Sequence, residues 1–217
     1  MSTRPRLLVL VAAVVTVAGC AARVQPLVGA DVAPAPALPP ARLFDDPRRY
    51  RFAWSYRDET FEAKGDGVVR VQPPGQARLD FFLENGLAGG YAILDGDSLI
   101  TPGPDFVKRL VPPPPMLWSV FGALRVPPTA DTLARRTGDT LSADFGRRDD
   151  GRLWRVRFVD RRLDRVERIE DGRRVEWLER HGGEARYSHE PSRRRVSITV
   201  TDSLSVAPFD PTIFRRR

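Results

Sequence analysis

Residues 112–128 read PPPPMLWSVFGALRVPP, and how this stretch packs decides the fold. Met116, Leu117, Val120, Phe121 and Leu124 recur at helical spacing and form one apolar stripe. Prolines on both sides fix where such a helix starts and stops. The flanking segments have a different period. In RFAWSYR (51–57), Phe52, Trp54 and Tyr56 alternate with polar residues. In RLWRVRF (152–158), Trp154, Val156 and Phe158 alternate with Arg155 and Arg157, and Val196, Ile198 and Val200 alternate with Ser197, Thr199 and Thr201. That is the period of half-buried strands. A single apolar helix set between two runs of strands has to bury its stripe against a sheet.

The punctuation agrees. Asn85-Gly86, Asp95-Gly96, Asp150-Gly151, Asp171-Gly172 and Gly182-Gly183 separate segments of strand length. Turns at such spacing predict antiparallel hairpins. LDRVERIE (163–170) and RRVEWLER (173–180) alternate less cleanly, and a second, shorter helix is expected over TADTLARR (129–136). No internal repeat is visible. The class is mainly β (α+β), a strongly curved sheet with a helical plug.

At the N-terminus, Arg4 and Arg6 precede an apolar run from Leu7 to Val17, the layout of a signal peptide. The uncharged span Leu7–Ala22 is shorter than the ~20 residues that cross a bilayer. Val17-Ala18-Gly19-Cys20 looks like a bacterial lipobox, so residues 1–19 are expected to be removed and Cys20, the sole cysteine, to carry lipid. The alternative is an ordinary export signal with an incidental thiol, which would be left to pair between molecules. Residues 20–41 hold five prolines and no aromatic residue, so they read as a tether reaching ~60 Å at ~3.1 Å per residue. The folded domain is then 42–217. With one cysteine no internal disulfide can form, and the fold rests on its core.

The net charge of +7 falls to +5 without Arg4 and Arg6. Lys64 and Lys108 are the only lysines, and the arginines interleave with acids, as in DRRLDRVERIEDGRR (160–174). Interleaving of this kind makes a solvated outer face, and nucleic acid is not an expected partner. The expected contact is a membrane, through the lipid anchor.

Chemistry-bearing residues are few. His181 and His189 stand beside a Gly-Gly turn and a proline and read as exposed turn-edge residues. With Cys20 acylated, no Cys/His zinc set can be built. Ser119 lies inside the apolar helix without a base, and there is no G-x-S-x-G or phosphate loop. Asp45-Asp46 and Asp149-Asp150 read as turn formers, while a carboxylate pair among Asp80, Glu84 and Asp95 stays open because sequence gives no distances. An enzyme is not expected, nor any cofactor beyond covalent lipid on Cys20. Apolar surface remains as the working material. Trp54, Phe82, Leu117, Trp118, Phe121, Trp154 and Phe158 either line a cavity for a small apolar ligand or fill a core.

The order of these segments resembles LolB, the outer-membrane lipoprotein that receives lipoproteins from the periplasmic carrier LolA, and the wider group sharing that fold. The matching stretches are FAWSY (52–56), ARLDFFLENGLAGGYAIL (77–94), MLWSVFGALRVP (116–127), GRLWRVRF (151–158), RRVSITVTD (194–202) and FDPTIF (209–214). The resemblance implies an unclosed antiparallel β-barrel of about ten or eleven strands, with one or two short helices plugging its mouth. It implies an apolar cavity for acyl chains and an outer-membrane anchor facing the periplasm. Its partners would be lipoproteins or a LolA-like carrier. Leu87 falls where such receptors carry a protruding loop leucine that contacts membrane or cargo; as an ordinary turn residue it would need no explanation. The chain departs from the group in lacking a long amphipathic helix before the first strand, since PPARLFDDPRRY (39–50) is broken by Pro47.

Overall fold

The computed structural model describes residues 23–35, 37–84, 89–126, 128–146 and 151–215. The first half of the chain supplies strands β1 (Val32–Pro34), β2 (Arg48–Arg57), β3 (Glu62–Gln72), β4 (Gln76–Leu83), β5 (Gly90–Asp95) and β6 (Ser98–Ile100). Helices α1 (Asp105–Leu110) and α2 (Pro114–Val120) follow. The second half adds β7 (Leu133–Thr137), β8 (Thr140–Phe145), β9 (Arg152–Val159), β10 (Arg162–Glu170), β11 (Arg173–His181), β12 (Glu184–His189) and β13 (Arg194–Ser205). A single 3-10 turn, Pro211–Phe214, ends the described chain.

All thirteen described strands form one antiparallel sheet in the order β1-β7-β8-β9-β10-β11-β12-β13-β2-β3-β4-β5-β6. β1 and β6 stand at its two ends without pairing to each other, so the barrel is unclosed. Two strands more than the upper expectation appear; β1 lies in the stretch read as a tether and β7 in the one read as a helix. Asp160 and Arg161 both take positive φ (48° and 63°) and close the β9–β10 hairpin without a glycine. At Asp171-Gly172 the same geometry uses the expected residues. The predicted helix at 129–136 is a correction: Leu133–Thr137 is β7, paired with both β1 and β8. The ladder partners override the helical propensity of a short segment.

Alternation decides which face is buried. In β2, Phe52, Trp54 and Tyr56 are 2–3 % exposed while Arg51, Ser55 and Arg57 face out. The same concave face collects Val69, Leu79, Phe81, Phe145, Val156, Phe158, Leu178, Val196 and Ile198. Gly67 gives room here, because a Cβ would stand 2.2 Å from the Phe52 ring. Into this concavity α2 lays Met116, Leu117 and Trp118, each 0 % exposed. Pro114 occupies the first turn of α2, where its missing N–H costs nothing. The helix stops at Phe121 because Gly122 turns left-handed at φ 82°. The expected stripe to Leu124 is therefore cut short, and Leu124 instead donates its N–H to Ala41 O.

The tether expected at 20–41 is also corrected from residue 24 onward. Val24 N–H donates to Gly172 O, Leu27 N–H donates to the Asp144 carboxylate, and β1 pairs with β7. Leu27 is 8 % exposed, and Leu153 and Ile169, neighbours on the convex face of β9 and β10, are buried as well. The composition of 20–41 is that of a linker, but backbone hydrogen bonds at Val24, Leu27, β1, Ala35 and Ala41 and one buried leucine hold part of it on the barrel.

Candidate functional site

The centre of the half-barrel is filled. A side chain bordering a void of even water size would show accessible area, yet Leu117 and Trp118 show none and Phe158 shows 1 %. Trp54 is 3 % exposed and its Nε1 donates to Asp66 O at 2.9 Å, while Trp118 Nε1 donates to Gly96 O at 2.7 Å. These four are core side chains, and the expectation that they line a cavity is corrected by close packing of α2 on the sheet. Trp154 is half-buried against the core. Phe82 is corrected outright: it is 51 % exposed, one residue out of phase with the buried Phe81. Cys20 and Leu87 lie outside the described residues.

Among the described residues, a hollow of about 230 Å³ lies on the concave side. It opens at the end of the barrel where α2 terminates, between Val120 and Phe121 on one side and Ala185, Ile198 and Val200 on β12 and β13. The Phe121 ring stands 5.7 Å from that of Tyr50, which closes the β2 side. Phe44, 52 % exposed, forms the rim beneath the Arg48 guanidinium. Polar side chains join the apolar walls: Tyr50, Ser203, Arg180, Arg48 and Glu184. Burial pushes the Tyr50 hydroxyl above its ordinary pKa. A mostly apolar wall with a few convergent polar groups is the usual composition of a small-ligand site.

Of the predicted residues only Phe121 reaches this hollow; Tyr50, Arg180, Ile198, Val200 and Ser203 went unassigned. The signal for Arg180 was present, because Glu176, Leu178 and Arg180 share one face at period two. The glutamate and arginine obscured it, since charged residues on the inner face break the apolar alternation.

The opposite end of the concave face carries a polar cluster instead. Glu176, 3 % exposed, accepts from Arg168 Nε and Tyr187 Oη, both at 2.6 Å, and Arg194 donates to Tyr187 Oη at 2.8 Å. Burial first, then the Glu176 charge, raises the Tyr187 hydroxyl far above its ordinary value. His189 shares this row and is half-buried, which corrects its reading as an exposed turn residue. Burial lowers its pKa, while His181 is exposed. These groups form a network on the concave face, in which the buried Arg194 Nε is left without a hydrogen-bond partner among the described residues.

A larger depression of about 550 Å³ lies on the convex side, where Trp177, Ser188, Arg195 and Arg57 stand in one row. Its floor is serine and its walls are charged. It is larger and more open than the hollow beside α2. The open question about Asp80, Glu84 and Asp95 closes on register. Asp80 is held by Arg70 and Arg78, Glu84 by Lys64, and Asp95 pairs with Gln76, four residues (~13 Å) along β4 from Asp80. Ser119 donates to Pro115 O within its own helix.

No protein-family model matches the sequence, and no curated protein matches it. Among solved structures, a LolA superfamily protein from Nitrosomonas europaea superposes with a TM-score of 0.52 at 12 % identity, over 81 % of this chain and 93 % of that one. The chain has the LolA-type fold. An outer membrane lipoprotein-sorting protein domain from Vibrio parahaemolyticus matches with a TM-score of 0.44 at 9 % identity, over 80 % of this chain and 91 % of that one. A DUF1329 family protein from Desulfovibrio piger matches with a TM-score of 0.43 at 8 % identity, over 79 % of this chain and 90 % of that one. Among the described residues no helix is long and apolar enough to cross a membrane.

Proposed function

We propose that this is a lipid-anchored protein of the bacterial envelope whose LolA-type half-barrel binds one acyl chain, of a lipid or of an acylated protein. The hollow beside the end of α2 carries this reading. Its walls are mostly apolar, and the fold supports the reading. Taking ~30 Å³ per methylene, as for water, about 230 Å³ takes roughly eight methylenes of a single chain. A multiply acylated cargo would need Phe44 and Phe121 to swing outward. Lipid on Cys20 would hold the protein at the outer membrane, with a LolA-like carrier as the natural donor and Leu87 as a membrane or cargo contact.

The test uses the chain from residue 20 onward with Cys20→Ser and a fluorescent fatty acid. Saturable binding is expected at one site per chain, displaced by unlabelled acid and abolished by Ile198→Trp, which fills the hollow. Absence of saturable binding to the folded protein removes the reading.

The filled centre favours a second reading, in which the barrel is solid and serves as an interaction module. The convex groove beside Trp177 would then hold a protein partner. Affinity purification from envelope extracts separates the two. A stoichiometric protein with no co-purifying lipid supports the module; bound lipid identified by mass spectrometry supports the acyl-chain reading.

A further inference from the structure

Several arginines on the convex face are answered by acids. Arg155 has Asp144, Arg157 has Asp164 and Glu179, Arg165 has Glu167 and Arg174 has Glu167. Arg180 is different. It points to the concave side, in line with Leu178 and opposite Ala185, and borders the hollow. Among the described residues no carboxylate lies within 4.0 Å of its guanidinium, and the hydrogen bond it makes is to Leu163 O at 3.2 Å. The acids nearby are already engaged. Asp164 is bound by Arg157, and Glu184 by Arg186 at 2.8 and 2.9 Å and by Ser197 at 3.0 Å. A guanidinium has five donors in a fixed fork that matches carboxylate and phosphate oxygens. Most of that fork is unused here.

Removing a cation from water without a counter-ion is costly, and the cost is recovered when an anion arrives. The desolvation is visible in the lowered Arg180 pKa, with burial as its largest cause. The Tyr50 and Ser203 hydroxyls border the same hollow and can donate to the same anion. Val120, Phe121, Ile198 and Val200 offer only apolar surface. Glu184 and Arg48 also border the hollow, each paired with a charge of its own (Arg186 and Asp46), so Arg180 is the cation of the lining without a carboxylate within 4.0 Å, and such a site is complementary to an alkyl chain that ends in an anion.

We propose that the hollow selects a single alkyl chain bearing a carboxylate or phosphate head, with Arg180 as the residue that binds the head. This rests on the acyl-chain reading above and narrows it: a neutral acyl ester or amide would leave the guanidinium unpaired.

The experiment is calorimetric titration, at pH 7.5, of the chain from residue 20 onward carrying Cys20→Ser. The probes are decanoate, decyl phosphate and methyl decanoate, against the otherwise unchanged protein, Arg180→Gln and Arg180→Lys. At least one anion is expected to bind ten-fold or more tighter than the ester. Arg180→Gln should bring anions and ester within about two-fold while leaving ester affinity unchanged, and Arg180→Lys should keep part of the preference. A stronger response to decanoate names a free fatty acid as the source, and a stronger response to decyl phosphate names a phospholipid-type head. Equal binding of anions and ester by the unsubstituted protein overturns the proposal and leaves the acyl-chain reading standing. Loss of all three probes by Arg180→Gln, with unchanged circular dichroism and melting, assigns Arg180 to shaping the hollow and also overturns it. If no probe binds the unsubstituted protein, both this proposal and the acyl-chain reading fall.

Discussion

Replacing Asp144 by Asn should release the N-terminal strap from the barrel. Asp144 is 0 % exposed, and its carboxylate takes Arg155 Nε and Nη2 at 2.7 and 2.8 Å together with Leu27 N–H at 2.9 Å. Asn keeps the shape and one acceptor but removes the charge. Breaking a buried ion pair by neutralising one member costs ~3–5 kcal/mol. Arg155 is 21 % exposed and retains Gln25 O at 2.7 Å, so water and this carbonyl relieve part of the loss. A net cost of about 2–3 kcal/mol remains. At ~2–4 °C per kcal/mol for a chain of this size, Tm should fall by ~4–12 °C. Calorimetry reads that fall, and amide hydrogen exchange reads the strap, where Val24 and Leu27 should lose protection before the core strands do. Asp144→Leu with Arg155→Met should recover most of the stability, because no buried charge is left unpaired, without restoring the Leu27 hydrogen bond. A Tm drop below ~2 °C with unchanged protection at both amides would refute the reasoning. The strap matters for placement. If Cys20 carries the lipid, only residues 21–23 separate it from the docked Val24. The barrel would then sit close to the bilayer rather than at the end of a ~60 Å leash.

Trp118→Ala removes a fully buried ring and the bond to Gly96 O, and should cost ~3–5 kcal/mol in denaturant midpoints; a near-neutral result would mean α2 is not packed as described. Gly67→Ala places a methyl 2.2 Å from the Phe52 ring and should destabilise by ~1–3 kcal/mol, more than an exposed Gly→Ala elsewhere in the sheet. Tyr56 donates to Asp58 at 2.5 Å; burial first and then Asp58 raise its pKa from 10.0 to about 12, and the same bond helps lower Asp58 from 3.8 to about 2. The tyrosine contribution is complete below pH 10 and is lost as pH rises through about 12; the aspartate contribution is present above pH 3.8 and is lost as pH falls through about 2. Denaturant midpoints of Tyr56→Phe should therefore vary less with pH than those of the unsubstituted protein in both windows, and parallel profiles would exclude the Tyr56–Asp58 bond as their source.

Local chemistry was enough to fix most of the strands, the antiparallel hairpins and the helical plug, but not β7, which reads as a helix, or β1, which reads as a tether. Alternation in RFAWSYR and the 116–124 stripe report which side of a segment avoids water, and that depends only on near neighbours. The same patterns could not say whether the avoided side meets another side chain or a void. Trp54, Trp118 and Phe158 have the residue types of a cavity wall, and only the curvature of thirteen strands against α2 brings them close enough to fill it. Long-range geometry also fixed the strap, because Leu27 finds its acceptor 117 residues away. It singled out Arg180 in the same way: charge is written in the sequence, but the missing counter-ion becomes visible only once every nearby acid is seen bound to another arginine. Burial and pairing are properties of position in space, and a chain acquires them only on folding.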